Sequence, residues 1–165
     1  MEISLTVNGK DYSRDVDETK TLLNFLREEL GFISVKEGCG AGECGACTVR
    51  LDGEVVNSCL VLAVEADGSV VETAENESVN GNLSELQKAL HEHQAVQCGF
   101  CTPGMLVTIR DFLEDNPEPT EKEIMAAIEG NLCRCTGYKQ IAEAVLDYSG
   151  QLDKPRELTH ARKNT

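Results

Sequence analysis

Ile3, Leu5 and Val7 recur at every second position, the period of a strand with one face buried, and Asn8-Gly9 behind them supplies a type I′ hairpin turn. The period then changes. Leu22, Leu23, Leu26 and Leu30 fall at helical spacing, and Gly31 stands where a left-handed residue would end that helix. In TVRLDGEVV (48–56), Asp52-Gly53 separates two β-branched runs, and VEADGSVVET (64–73) repeats the device around Asp67-Gly68. These positions predict a small β-sheet with one helix.

From Ala74 to Asn82, AENESVNGN is poor in apolar residues and reads as a linker. Helical periods follow. Leu83, Leu86 and Leu90 share a face, and Thr102-Pro103 reads as an N-cap with proline at the first helical position, opening GMLVTIRDFL. Thr120 and Glu123 form a capping box ahead of Ile124, Ala127 and Ile128. Tyr138, Ile141, Val145 and Tyr148 mark a last helix that stops by Gly150. The pattern predicts an α+β chain with a sheet domain over 1–75, an all-α four-helix domain over 76–150, and a polar, aperiodic tail over 151–165. No internal repeat is present.

The length of 165 residues suits two half-size domains, each with a modest core. Composition narrows the chemistry. Against 29 Asp and Glu the chain carries 15 Lys and Arg, a formal net charge of −14, which argues against nucleic acid as a partner. The acidity reads as a solvated surface, the alternative being a field that steers a basic partner. The opening MEISLTVNGK alternates polar with apolar and lacks the apolar run of a signal peptide, and no later segment reaches the length of a membrane span. The expectation is a soluble, cytoplasmic protein.

Eight cysteines without a secretory signal point to metal before disulfides. They fall into two groups of four: Cys39, Cys44, Cys47 and Cys59, then Cys98, Cys101, Cys133 and Cys135. The first three lie in KEGCGAGECGACTVR (36–50), among Gly38, Gly40, Gly42 and Gly45. A 2Fe-2S cluster needs four thiolates around two irons and backbone N–H donors aimed at its sulfurs, and glycine lets the chain wrap that closely. The Cys39-x4-Cys44-x2-Cys47 spacing matches the plant-type ferredoxin pattern, leaving Cys59 as the fourth ligand. Structural zinc is the alternative, though zinc knuckles rarely set three cysteines in a glycine-rich loop.

Spacing alone leaves the second group open between a 2Fe-2S cluster, zinc and a thioredoxin-like dithiol. A dithiol would leave Cys133 and Cys135 unexplained. Each pair lies near the start of a predicted helix, where backbone amides favour thiolates. Elsewhere the glycine loop lacks the strand-to-helix setting of a dinucleotide-binding turn, and no Walker lysine is present. His91 and His93 are two apart and cannot share a metal from one helix.

GCGAGECGACTV (38–49), AVQCGFCTPGM (95–105) and GNLCRCTGY (130–138), in this order, resemble the iron-sulfur subunit of the molybdenum hydroxylases, the family of xanthine dehydrogenase, aldehyde oxidoreductase and carbon monoxide dehydrogenase. The similarity spans roughly residues 1 to 150. It implies an N-terminal β-grasp, ferredoxin-like domain and a C-terminal four-helix domain, each holding one 2Fe-2S cluster on its four cysteines. It further implies a non-catalytic, electron-transfer role, relaying electrons from a molybdenum-pterin centre on a large subunit to FAD on a medium subunit. The implied assembly is a heterotrimer, paired as a dimer of heterotrimers. By the same resemblance Gln97 hydrogen-bonds the pterin and the Cys135 thiolate lies between cluster and pterin; unaided, Gln97 reads as a helix-end glutamine bonded to solvent or backbone. Arg134 and Tyr138 stay outside the expected site, Tyr138 fitting the helical apolar stripe. Rival readings are a free-standing ferredoxin-like electron carrier, which has no use for the second cysteine domain, and a zinc-stapled interaction module, which needs no glycine cradle. The substrate stays open among purines, nicotinate, aldehydes, aromatic thioesters and carbon monoxide.

Overall fold

The computed structural model describes residues 1–78 and 80–152. Strand β1 (Glu2–Val7) buries Ile3, Leu5 and Val7 as the alternation requires. It turns through Asn8 and Gly9, at φ 49° and 76°, into antiparallel β2 (Lys10–Asp15). Both central residues of a type I′ turn need positive φ, which asparagine and glycine tolerate. The same chemistry at Asp52-Gly53 (φ 50° and 90°) joins β3 (Thr48–Leu51) to β4 (Glu54–Asn57).

Asp67-Gly68 departs from the expected hairpin. Only Gly68 has positive φ, and Asp67 sits at φ −61° and ψ 129°, the dihedrals of a type II turn. The segment before it is a 3₁₀ turn, Ala63–Ala66, which buries both alanines completely. Two small residues three apart fall on one face of a 3₁₀ turn, so the chain packs tightly there without extending. β5 (Val70–Glu72) then enters the sheet between β1 and β3, giving the order β2-β1-β5-β3-β4. It runs parallel to β1 and antiparallel to β3.

The predicted helix exists but is mostly not α-helical. α1 covers Leu22–Asn24, capped by the Thr21 hydroxyl, and continues as a π-helical turn over Phe25–Glu29. Its end bond runs from Phe32 N–H to Leu26 C=O at 2.9 Å, around Gly31 at φ 80°. That closure is one residue wider than an α-helical end. Leu22, Leu23, Phe25 and Leu26 are all buried against the sheet, in one core with Ile3, Val7, Val49 and Val71.

A second core lies among four helices. α2 (Glu85–Glu92) starts at a capping box of Ser84 and Gln87, and α3 (Thr102–Asp115) follows the Cys98–Cys101 loop. Its N-cap is Cys101, one residue earlier than expected, because the Cys101 carbonyl already accepts from Met105 N–H (3.0 Å). α4 (Glu121–Ala127) begins at the predicted Thr120–Glu123 box. α5 (Lys139–Tyr148) ends near Gly150, at φ 69°. Leu86, Leu90, Met105, Ile109, Ile124, Ile141 and Val145 fill this core, and His93 joins α2 to α5 through Asp147 (2.9 Å). Polar in sequence, the linker is nonetheless bound in place. Ala74–Glu77 forms a 3₁₀ turn, Glu77 pairs with Arg110, and Glu75 accepts from Ser34 and Thr73. The expected tail lies, from residue 153 onward, outside the described residues.

Candidate metal centres

The first cysteine loop leaves the helix and re-enters the sheet at β3. Its first thiol, Cys39 Sγ, accepts from the backbone N–H of Ala41 (3.3 Å) and Glu43 (3.2 Å). These donors, with the Cys44 amide, pull the Cys39 thiol down to about 7. Gly40, Gly42 and Gly45 have positive φ, which turns the amides inward. Gly38 does not, contrary to expectation. Its role is space: a Cβ there would stand 2.7 Å from Cys44 Sγ.

Cys47 is buried, and burial pushes its thiol up to about 11. Cys59 reaches it on the 3₁₀ turn Ser58–Leu60. Ser58 fastens that turn to the loop, donating from its hydroxyl (2.7 Å) and its N–H (3.3 Å) to the Cys47 carbonyl. Asn57 Nδ2 adds a bond to Gly42 C=O (2.8 Å). The short gap from Cys47 to Cys59 is therefore one hairpin, β3 to β4, which returns the chain to the loop's far side.

The second group surrounds the start of α3. Cys98, Cys135 and the intervening Phe100 are exposed, and Cys101 and Cys133 are half-buried. Burial raises the Cys101 thiol to about 12, whereas the Phe100 N–H, and after it the Cys135 thiol, lower Cys98. At Cys133 burial, the largest single influence, is opposed by Thr136, whose hydroxyl lies 3.2 Å from Sγ, and by the Cys135 amide and the Cys101 thiol, which together make the net shift downward. Three residues separate Cys135 from α5, so Thr136 contributes what a helix N-terminus was expected to supply. Tyr138 also does more than fill an apolar stripe. Held at φ 70°, it accepts through its hydroxyl from Cys133 N–H (2.9 Å). Sequence spacing gives no signal for Ser58, Thr136 or this use of Tyr138.

Within each group the thiols bear on one another's ionisation, Cys39 with Cys44 and Cys47 with Cys59, then Cys98 with Cys135 and Cys101 with Cys133. Among the described residues no three such side chains converge as a single-ion site. Four cysteines in each group meet the ligand count of a 2Fe-2S cluster. The amides on Cys39 and the open face of Gly38 fit the same group.

The two loops touch. Leu132 N–H donates to Cys44 C=O (2.9 Å), and Asn131 Nδ2 to Gly45 C=O (3.1 Å). A Cβ on Gly104, in the first turn of α3, would lie 2.2 Å from that Gly45 oxygen. At the outer edge of this junction Arg50 on β3 pairs with Glu114 (2.8 and 2.5 Å) and Asp111 (3.1 Å) of α3. Gln97 is exposed beside Val96, Cys98 and Phe100.

Residues 5–83 match the model of a 2Fe-2S iron-sulfur cluster binding domain, and residues 71–146 that of a [2Fe-2S] binding domain. The nicotine 6-hydroxylase small subunit of Paenarthrobacter nicotinovorans is 49% identical, over 92% of this chain and 92% of its own length. The nicotinate dehydrogenase small FeS subunit of Eubacterium barkeri is 50% identical, over 87% and 91% respectively. Among solved structures, quinoline 2-oxidoreductase from Pseudomonas putida 86 superposes with a TM-score of 0.89 at 44% identity, over 92% of this chain and 95% of that one. Two cysteine loops in contact, each inside a matched 2Fe-2S domain, agree with these relatives: the chain belongs to the iron-sulfur small-subunit family of the molybdenum hydroxylases of xanthine dehydrogenase type, as an electron-transfer and not a catalytic component.

Proposed function

We propose that Cys39, Cys44, Cys47 and Cys59 hold one 2Fe-2S cluster and Cys98, Cys101, Cys133 and Cys135 the other, in domains bounded at 1–75 and 76–150. When bound, each cluster supplies a one-electron centre, and together they carry electrons from a molybdenum-pterin centre on a large subunit toward FAD on a medium subunit. The observation that carries this reading is the gathering of four cysteines at each of two loops, joined by the Leu132 to Cys44 hydrogen bond. That bond leaves only backbone between a cysteine of one group and Cys133 of the other. The protein's own residues do the rest: the amides of Ala41 and Glu43 offset charge on Cys39, Thr136 does so at Cys133, and burial excludes water from Cys47 and limits its access to Cys101.

The large subunit covers the face bearing Gln97, Cys98 and Cys135, where exposed Val96, Phe100 and Leu132 form an apolar rim. There the Gln97 amide hydrogen-bonds the pterin, with Cys135 beside it. The assembly is a heterotrimer, paired as a dimer of trimers. No helix among the described residues is long and apolar enough to cross a membrane, and eight unpaired cysteines suit the reducing cytoplasm. The assignment is tested by EPR of the reduced complex. Cys44→Ser should remove or alter one 2Fe-2S signal and Cys133→Ser the other; loss of both signals together from either substitution would refute two independent sites.

A further inference from the structure

Asn131 is one of few buried polar side chains, 4% exposed, and it lies in neither cysteine group. Its Nδ2 donates to Gly45 C=O (3.1 Å) and to Thr48 Oγ1 (3.3 Å), both in the first cysteine loop or at its exit. Its own N–H is bonded to Ile128 C=O (3.0 Å), so its backbone is fixed within the helical domain. The next residue, Leu132, donates to Cys44, and the one after that is Cys133. One side chain thus grips the first loop immediately beside one cysteine of each group.

The gripped carbonyl has little freedom. Gly45 C=O also accepts from Thr48 N–H (3.3 Å) and Thr48 Oγ1 (2.7 Å), and the Gly104 backbone closes the space above it. A Cβ on Gly45 itself would strike Gly130 C=O at 2.5 Å. Apolar packing could hold two domains together while leaving them free to slide, whereas a buried amide with directed donors fixes one register. The Arg50 cluster at the rim is partly solvated and can trade partners among Glu72, Asp111 and Glu114.

We infer that Asn131 is the positioning residue that locks the first cysteine loop onto the second, and thereby sets the separation and orientation of the two clusters. This rests on the cluster assignment above. The test uses the intact complex carrying Asn131→Leu, near in shape but without a donor, and Asn131→Ser, smaller and unstrained. In the reduced complex both variants should keep two 2Fe-2S signals while the magnetic interaction between the clusters weakens, since dipolar coupling falls with the cube of separation. Amide exchange over residues 38–48 should quicken about tenfold, the effect of losing one or two net hydrogen bonds. If Asn131→Leu does not retain iron, Asn131→Ser decides. Unchanged coupling and exchange in a fully loaded variant overturn the inference. Absence of two 2Fe-2S signals in the unmodified complex would instead refute the cluster assignment, leaving exchange alone to judge whether Asn131 locks the loops.

Discussion

Gly104→Ala sets two effects of opposite sign against each other at the junction. Gly104 has ordinary helical φ within α3, so alanine there should stabilise the helix by about 0.5 to 1 kcal/mol. The new Cβ, however, would stand 2.2 Å from Gly45 O and 3.3 Å from Gly45 C. Those atoms are backbone, held by Asn131 and Thr48, and cannot rotate away. Overpacking against fixed atoms costs about 1 to 3 kcal/mol. Against atoms this close the clash should win, leaving the variant less stable by up to about 2.5 kcal/mol once the propensity gain is subtracted. Gly130→Ala is the matched control, since its Cβ would meet nothing within 4 Å and its φ is not positive. Urea titration of the loaded protein, with iron content and EPR in parallel, reads both variants. Gly130→Ala should be neutral or slightly stabilising, and Gly104→Ala destabilised with altered inter-cluster coupling. A Gly104→Ala protein as stable as the control, with unchanged coupling, would show that the junction yields and would refute the reasoning.

Gly38→Ala, whose Cβ would lie 2.7 Å from Cys44 Sγ, should lower iron in the first centre and spare the second, as iron analysis and EPR would report. In the protein stripped of iron and kept reduced, Cys39 should be alkylated first, its rate rising with pH through about 7 as the thiolate forms; Cys47 and Cys101, held near 11 and 12, should lag in peptide mapping. Gln97→Ala should leave iron content and both EPR signals normal while substrate reduces the complex more slowly or less molybdenum is retained, a loss of about 1 to 3 kcal/mol if a buried partner is left unpaired.

The architecture was legible where a local rule suffices. Period two in Ile3, Leu5 and Val7, period 3.6 in the second half, Asn-Gly and Asp-Gly turns, and the Thr120–Glu123 box all describe contacts made within a few residues. Local rules failed where packing chose between local options. VLAV could extend, but Ala63 and Ala66 coil into a 3₁₀ turn because they fit closely against the core; the helix at Leu22 widens into a π turn while burying Phe25 and Leu26. The linker is polar yet bound, because Glu75 and Glu77 find partners 33 to 41 residues away in Arg110 and Ser34.

For the site, the sequence by itself determined the candidate ligands of the proposed clusters: eight thiols, their grouping, and the glycines that let amides approach sulfur. These follow from residue type and spacing, which are properties of the chain. Only the tertiary structure decided that the two cysteine loops touch, that Gly38 serves by its missing Cβ and not by its φ, and that Asn131, Ser58, Thr136 and Tyr138 support the cysteine loops. Asn131 and Gly45 stand 86 positions apart, and a hydrogen bond of that span leaves no trace in any local pattern. It exists because two distinct cores bring their loops together, 3.1 Å from donor to acceptor, where a directed donor can join backbone that sequence alone keeps distant.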